Sequence, residues 1–418
     1  MLYKEIKGCR ICGNQQLDLI LDLGNLALTG IFPKTKGEDV PTGPLTLVKC
    51  RETITDTNNS CGLVQLKETY NPDLMYGQNY GYRSGLNKSM VNHLHNKVTK
   101  ILDHVTLSLD DVIIDIGSND STLLQAYPKK QTALVGFDPT GEKFKNYYPD
   151  HITLFTEFFS SETFKIKFGN KKAKVITSIA MLYDLEDPIG FVREVYDILS
   201  EDGIWVFEQS YMPYMLKANS FDTICHEHLE YYRLQQIQWM MKEVGFKIID
   251  FEFNQVNGGS FSITVTKSGS SLPETPDVAK LLDDEEREGL KTNKPYDAFR
   301  SQVFEFKSSI RQLLDKIHKE NGLVLGYGAS TKGNVLLQFA GITSRDIPYI
   351  GEVNTDKFGC YTPGTLIPII SEEEARKMNP DYFFVFPWHF KDFILKKEKA
   401  NANKRISLLF PLPSIEIL

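Results

Sequence analysis

Between residues 71 and 267, short apolar runs alternate with longer amphipathic segments, and this alternation constrains the fold more than any other feature of the chain. The runs VIID, ALVGFD, VITSIA and IWVFEQ each have the length of a buried strand. Strands that alternate with helices form a parallel sheet with helices on both faces. The segment is therefore predicted to be an α/β domain with a Rossmann-like sheet.

The remaining residues are predicted to form two further domains, because 418 residues exceed one ordinary core. Residues 1–70 are predicted to form short strands and turns. This segment is too small to have a self-sufficient core without a disulfide or a structural metal ion. Residues 268–298 are rich in Ser, Pro and charge and are assigned to a linker that runs over the surface and contains some helix. Residues 299–418 begin with a helix around Phe299–Asn321 and continue as a second, smaller Rossmann-like unit.

The charge and the hydropathy of the chain exclude two classes of partner. A formal net charge of −7 argues against nucleic-acid binding, since phosphate neutralisation needs a basic face. The opening residues MLYKEIKGCRICG hold no apolar signal core, and no stretch approaches the roughly 18 to 20 apolar residues of a spanning helix. We therefore expect no membrane partner and a cytoplasmic location.

Four cysteines in the first 61 residues indicate a zinc site. Cys9 and Cys12 form a CxxC pair, and Cys50 and Cys61 could complete a tetrahedral set, although ten residues separate them. Zinc bound in this way would stabilise a segment that has little core. The alternative is a group of reduced cysteines without metal.

The segment VIIDIGSNDSTLL indicates a cofactor loop, with a buried strand, a polar turn and then an expected helix. In a class I methyltransferase, an acidic residue ends this strand and a glycine lets the backbone approach the cofactor. Asp115 and Gly117 match those roles, Asn119 lines the loop, and Asp138 ends the next strand where a carboxylate can bind ribose hydroxyls. A dehydrogenase GxGxxG is absent, which favours S-adenosylmethionine over NAD, although any doubly wound protein could carry an Asp at a strand end.

The segment FDTICHEHLEYYR has a density of titratable side chains that packing alone does not explain. Histidine suits proton abstraction near neutral pH, and the segment contains His226 and His228 on either side of Glu227. A metal site is the competing interpretation, with Cys225 and the two histidines as ligands.

At this point the chain resembles the sugar C-methyltransferases of bacterial deoxysugar biosynthesis, which act on nucleotide-linked 4-keto-6-deoxyhexoses. The resemblance covers nearly the whole sequence and implies a zinc-binding segment, an S-adenosylmethionine-dependent class I methyltransferase domain and a C-terminal Rossmann-like domain. The motifs that carry it are CGLVQL, YGYRSG, DIGSNDSTLL, DTICHEH, NGGSFS, GYGASTKGN, YTPGTLIPI and the closing PLP.

The resemblance also implies roles for individual residues. The last histidine of HEH, His228, matches the general base of the family, with Glu227 and His226 beside it in the active site. YGYRSG supplies Tyr80 and Tyr82 to the active site, and its residues Tyr82 and Ser84 are assigned to the cofactor. The substrate is assigned to Tyr231 and to residues of the C-terminal domain: Ser330, Thr331, Lys332, Asn334 and Glu352.

Three positions depart from the family pattern. Cys225 stands where the family commonly has Tyr, Asp184 or Tyr183 stands where it often has His, and Ser121 stands where it usually has Gly. These departures leave the choice of substrate and the secondary catalytic groups open.

The predicted reaction is proton removal beside a sugar ketone, followed by methylation of that ring carbon, with C3 favoured and C5 open. The nucleotide diphosphate would bind the Gly-rich loop GYGASTKGN at a helix N-terminus. Trp388 could stack on a ring, although a role in the core is favoured. Two alternatives are an O- or N-methyltransferase of a related nucleotide sugar, which would not need a base for enolisation, and a non-catalytic scaffold that binds the cofactor and zinc.

Overall fold

A computed structural model describes residues 2–52, 60–76, 82–128, 132–400 and 406–418. The α-helices of this part of the chain are α1 Pro72–Met75, α2 Lys88–His104, α3 Gly141–Phe144, α4 Ser161–Phe168, α5 Pro188–Ile198, α6 Met212–Lys217, α7 Leu234–Val244, α8 Asp277–Arg287, α9 Lys294–Lys319, α10 Thr331–Ala340, α11 Glu372–Lys377 and α12 Lys391–Ala400. The strands are β1 Tyr3–Glu5, β2 Leu17–Ala27, β3 Thr42–Cys50, β4 Val64–Leu66, β5 Glu68–Tyr70, β6 Val112–Ile116, β7 Ala133–Phe137, β8 Ile152–Phe155, β9 Ala173–Ile179, β10 Leu199–Ser210, β11 Glu230–Tyr231, β12 Phe246–Asn254, β13 Ser260–Lys267, β14 Val324–Tyr327, β15 Ile350–Glu352, β16 Ile369–Ser371, β17 Tyr382–Val385, β18 Ser407–Phe410 and β19 Glu416–Ile417.

The central domain is built on a seven-stranded sheet of order β12-β13-β10-β9-β6-β7-β8. The five strands from β10 to β8 run parallel, and β13 pairs antiparallel with both β10 and β12. Every residue of β6 is buried, as the apolar run VIIDI predicts. The predicted class I methyltransferase sheet is confirmed, and the carboxyl ends of β6 and β7 carry the predicted cofactor residues.

The N-terminal domain is completed by a strand from the central domain. Its four-stranded sheet has the order β11-β4-β3-β2, and β11 belongs to the segment that follows the HEH motif. The register pairs Glu230 with Gln65 and Tyr231 with Val64. The segment with the histidines is therefore held between two domains.

The C-terminal domain has a six-stranded sheet of order β16-β15-β14-β17-β18-β19, parallel except for β19. Its helix α10 also contacts the N-terminal domain. There the side-chain amide of Gln338 accepts from the N–H of Ala27 at 2.7 Å and donates to its carbonyl at 3.1 Å. Two backbone groups of the N-terminal domain are thus satisfied by one side chain of the C-terminal domain.

Two helix predictions differ from the structure. After the cofactor loop there is only a 3-10 helix, Leu124–Ala126, because Pro128 disfavours helical backbone at Tyr127. The helix predicted around Phe299–Asn321 begins earlier, at Lys294, since Pro295 is well suited to the first helical turn. The segment assigned to a linker therefore contains α8 and the first residues of α9.

Part of that linker is packed on the central domain. The buried carboxylate of Glu285, on α8, accepts from the Tyr211 hydroxyl at 2.9 Å and from the N–H groups of Leu234 and Gln235 at 2.6 and 3.2 Å. It thereby satisfies free N–H groups at the start of α7. Among the described helices, none is both long and apolar enough to cross a membrane.

Candidate active site

The four cysteines predicted to bind zinc lie together. Their sulfur atoms all lie within 4.8 Å of one another, with Cys9 and Cys61 at 3.4 Å and Cys12 and Cys50 at 3.6 Å. Tetrahedral zinc with four sulfur ligands at about 2.3 Å requires sulfur separations of roughly 3.8 Å. The thiolate set and its spacing therefore fit a closed structural zinc site.

The zinc-binding domain is joined to the HEH segment by backbone hydrogen bonds. Leu66, at the end of β4, donates its N–H to the carbonyl of Leu229 at 2.8 Å. Leu229 directly follows His228 and leads into β11. The position of the histidine thus depends on a sheet whose other strands belong to the zinc-binding domain.

The cofactor loop begins at a buried carboxyl group. Asp115 accepts a hydrogen bond from the Thr177 hydroxyl at 2.6 Å. Burial raises the pKa of Asp115 to about 7, with the nearby Asp138 acting in the same direction. Gly117 has φ +77°, a conformation that favours glycine, and it gives the backbone a tight turn directly after β6. These features fit the loop of a class I methyltransferase.

Asp138 and Asn119 join the ends of two neighbouring strands. The carboxylate of Asp138 accepts from the N–H of Asn119 at 2.7 Å and from the N–H and hydroxyl of Thr140 at 2.7 and 2.5 Å. Asn119 in turn accepts from the N–H of Ser84 at 2.9 Å and donates to the carbonyl of Tyr82 at 3.2 Å. The predicted cofactor residues of both motifs are brought together, while Tyr80 lies outside the described residues.

Ser121 occupies a backbone conformation that explains the glycine usual in the family. Its φ is +62°, in the left-handed region. Its hydroxyl donates to the carbonyl of Tyr147 at 3.2 Å and accepts from Gln125 at 2.8 Å. These two hydrogen bonds offset part of the backbone strain that the side chain introduces.

The ring of His228 is held in one orientation. Its Nδ1 lies 2.8 Å from the carbonyl oxygen of Thr223, and the ring of Tyr183 meets it edge to face at 4.6 Å between centroids. A carbonyl can only accept a hydrogen bond, so Nδ1 carries the proton and Nε2 keeps its lone pair. Burial, and then the positive charge of Lys332, lower the pKa of His228 to about 4.

His226 faces a different environment from His228. Its Nδ1 lies 3.5 Å from the Thr29 hydroxyl, and its ring packs edge to face on Tyr70 at 4.7 Å between centroids. Burial lowers the pKa of His226 to about 4. The two histidines are separated by a turn at residues 226–227, where the N–H of His228 donates to the carbonyl of Cys225 at 3.2 Å, and His226 lies against the N-terminal domain.

Glu227 directly precedes His228, and a second acid, Asp184, lies near Glu227; both acids are partly buried. Burial raises the pKa of Glu227, while a hydrogen bond from the Cys225 thiol acts against that rise. Burial also raises the pKa of Asp184, and the charge of Glu227 adds to the rise. A side chain on Gly30 would place its Cβ 2.5 Å from Glu227 Oε1, so the glycine leaves room for this acid.

The predicted substrate residues of the C-terminal domain form the start of α10. Ser330 caps this helix by accepting from the N–H of Gly333 at 3.0 Å, and Thr331 is its first residue. Asn334 donates its side-chain amide to the carbonyl of Thr29 at 2.7 Å. Asn334 therefore connects two domains in this structure.

Glu352 and Tyr231, also predicted to bind substrate, make contacts within the protein. Glu352 accepts from the N–H groups of Ala329, Val353 and Asn354 at 2.7, 2.7 and 2.8 Å. Tyr231 directs its hydroxyl to the carbonyl of Thr223 at 3.4 Å. These four hydrogen bonds hold the loops around residues 329, 353–354 and 223.

Asp222 was not predicted as a functional residue, although it stands in the segment FDTICHEHLEYYR. Trp388 of the C-terminal domain donates its indole N–H to Asp222 Oδ2 at 2.8 Å, and both residues are buried. Burial raises the pKa of Asp222, and the charge of Lys332 opposes this rise. The spacing of 166 residues left no local signal for this pair.

Three family models match the chain in order. They are a zinc binding domain over residues 9–76, a methyltransferase domain over 90–250 and a C-methyltransferase C-terminal domain over 255–413. The chain is a C-methyltransferase. Its methyltransferase domain uses S-adenosylmethionine, and the four cysteines belong to its zinc-binding domain.

This C-methyltransferase is 25% identical to the C-methyltransferase NovU of Streptomyces niveus over 423 residues, which covers 100% of the chain and 98% of the relative. A match to the solved complex of a Haloferax volcanii methyltransferase and its activator Trm112 covers 44% of this chain and 94% of the matched chain, at 12% identity and a TM-score of 0.36. Magnesium protoporphyrin IX methyltransferase of Synechocystis PCC 6803 was solved with bound S-adenosylmethionine. The match covers 43% of this chain and 82% of that chain, at 12% identity and a TM-score of 0.32.

Proposed function

We propose that this C-methyltransferase methylates a ring carbon of a nucleotide-linked 4-keto-deoxysugar, and that His228 is the general base. The observation that carries the proposal is the contact between His228 Nδ1 and the Thr223 carbonyl, at 2.8 Å. This contact leaves Nε2 as the basic nitrogen of a ring with a lowered pKa. The ring is therefore neutral at pH 7 and ready to accept a proton.

A ketone at C4 makes the hydrogen on a neighbouring ring carbon acidic. His228 removes this hydrogen as a proton, so that the C–H electron pair forms the enolate and the proton rests on Nε2. When bound, S-adenosylmethionine supplies an electrophilic methyl group. The protein then has to align the enolate carbon with that methyl group and to exclude water from both.

The loop that begins at Asp115 supports a cofactor position at the carboxyl end of the central sheet. The backbone at Gly117 and the carboxylate of Asp138 lie at the carboxyl ends of β6 and β7, where ligands bind in open α/β sheets. The start of α10, with Ser330 and Thr331, offers N–H groups to the diphosphate of the substrate. Lys332 places positive charge near His228, where it can stabilise the enolate oxygen.

C-methylation is favoured over O- or N-methylation by the match to a C-methyltransferase C-terminal domain and by the likeness to NovU. The same findings disfavour a non-catalytic scaffold. C3 is the preferred position, and C5 is the other ring carbon beside C4.

The test is incubation in deuterated water with S-adenosylmethionine and a panel of thymidine, uridine, guanosine and cytidine diphosphate 4-keto-6-deoxyhexoses. We expect one sugar to gain a single methyl group, with solvent deuterium entering one ring carbon when the cofactor is left out. His228→Asn should lower the turnover by about a hundredfold or more, with cofactor affinity unchanged. Deuterium exchange at the wild-type rate in this variant would remove His228 from the proposed role.

A further inference from the structure

We infer that the C-terminal domain positions the general base: Trp388, through Asp222 and the turn Phe221–Thr223, holds the carbonyl that orients His228. This inference rests on the proposed role of His228. Trp388 and Asp222 are then positioning residues: they act through the orientation of His228 and do not contact the reacting atoms.

The first step is the link between the domains. Trp388 follows β17, and its indole N–H donates to Asp222 Oδ2 at 2.8 Å. Asp222 is 0% exposed and Trp388 is 8% exposed, so water does not replace this hydrogen bond.

The second step is the rigidity of the turn. Phe221 packs on Phe306 of α9 and on Phe339 of α10, each at 5.2 Å between ring centroids. The N–H of Ile224 donates to the carbonyl of Phe221 at 3.0 Å, which closes the 3-10 turn. Aromatic contacts from two helices of the C-terminal domain and the Trp388 hydrogen bond therefore hold consecutive residues of one turn.

The third step is the orientation of the imidazole. The carbonyl of Thr223, the next residue after Asp222, lies 2.8 Å from His228 Nδ1 and 3.4 Å from the Tyr231 hydroxyl. Because this carbonyl selects the Nδ1–H tautomer, a shift of the turn would release the ring to the other tautomer. The lone pair would then sit on Nδ1, away from the position that Nε2 occupies.

The test is nitrogen NMR of ¹⁵N-histidine-labelled full-length protein, in which the His228 signal is identified by its loss in His228→Asn. We expect the Nδ1–H tautomer in the wild type, and an increased share of the Nε2–H tautomer in Trp388→Phe and in Asp222→Ala. Asp222→Asn should retain the wild-type tautomer, because its side-chain oxygen can still accept from the indole. Trp239→Phe, which alters a partly buried indole on α7, is the matched control.

Steady-state rates give the second readout. Trp388→Phe should lower kcat on the order of tenfold and leave KM within about twofold, since substrate contacts are unchanged. A rise in KM alone would make Trp388 a substrate contact and overturn the inference. So would an Nε2–H tautomer in the wild-type protein, a measurement that needs no variant to fold.

The two proposals can fail separately. Loss of the tautomer preference in Trp388→Phe, together with normal activity of His228→Asn, would reject His228 as base. Normal tautomer and kcat in Trp388→Phe, together with an inactive His228→Asn, would reject only the positioning role.

Discussion

The N–H of Leu66 donates to the carbonyl of Leu229 at 2.8 Å and thereby ties the zinc-binding domain to the residue that follows His228. The hydrogen bond extends the β4–β11 pairing toward the HEH motif. Damage to the zinc site should therefore reach the active site through the backbone.

Zinc loss is expected to reduce both stability and turnover. Cys61→Ser removes one of four ligands, so the bound zinc should fall well below one equivalent and the Tm should decrease on the order of 10 °C. The control is Cys360→Ser, because this buried cysteine lies outside the cluster. Zinc content and thermal unfolding measure the effect, and full zinc retention in Cys61→Ser would contradict the four-cysteine site.

The pH dependence of turnover should follow His228. Its pKa of about 4 means that kcat/KM falls as the pH decreases through that value, because the protonated ring cannot accept a proton. Lys332→Met removes a positive charge that lowers this pKa, so the acidic limb should move to higher pH. The measurement is kcat/KM of both proteins between pH 4 and 8. An acidic limb at the same pH in both would contradict the prediction.

His226 should make the folded protein less stable in acid. Its pKa is lowered to about 4 in the folded state, so the unfolded state binds more protons below its ordinary value of 6.5. Stability is therefore lost as the pH falls from about 6.5 to about 4, by roughly 3 kcal/mol for this group. His226→Gln should flatten the change of unfolding free energy over that range, which denaturant titrations at several pH values can detect. An equally steep loss in the variant would show that other groups cause it.

Asp138→Ala should weaken cofactor binding at least about tenfold. The substitution removes the acceptor for the N–H of Asn119 and for Thr140, and also the predicted contact with the ribose. Calorimetric titration with S-adenosylmethionine gives the affinity, and Asp150→Ala, at an exposed acid, is the control. Equal affinity in the two variants would exclude Asp138 from the cofactor site.

The sequence predicted the features that depend on local pattern. The buried strand β6, the cysteine set and the glycine at residue 117 follow from short motifs and from the backbone conformation that each requires. The expected helix after the cofactor loop was wrong because Pro128 outweighs the apolar residues before it. The two-residue strand β11 is too short to show a periodic pattern.

Contacts between distant residues could not be predicted in the same way. The hydrogen bond between Trp388 and Asp222, and the one between Asn334 and Thr29, join residues that no local pattern relates. The sequence assigned Asn334 to the substrate from its place in a motif. Its observed partner in the N-terminal domain depends on how three domains pack, which is a property of the folded chain.

The strand β11 also has a consequence for synthesis of the chain. The N-terminal sheet ends in a strand that is made only after most of the central domain has left the ribosome. Until Tyr231 is available, β4 has an open edge with unpaired N–H and carbonyl groups, which is where association between nascent chains begins. This edge is short because β4 has only three residues, and zinc captured early by the four cysteines, of which Cys61 lies just before β4, would hold it in place while the missing strand is translated.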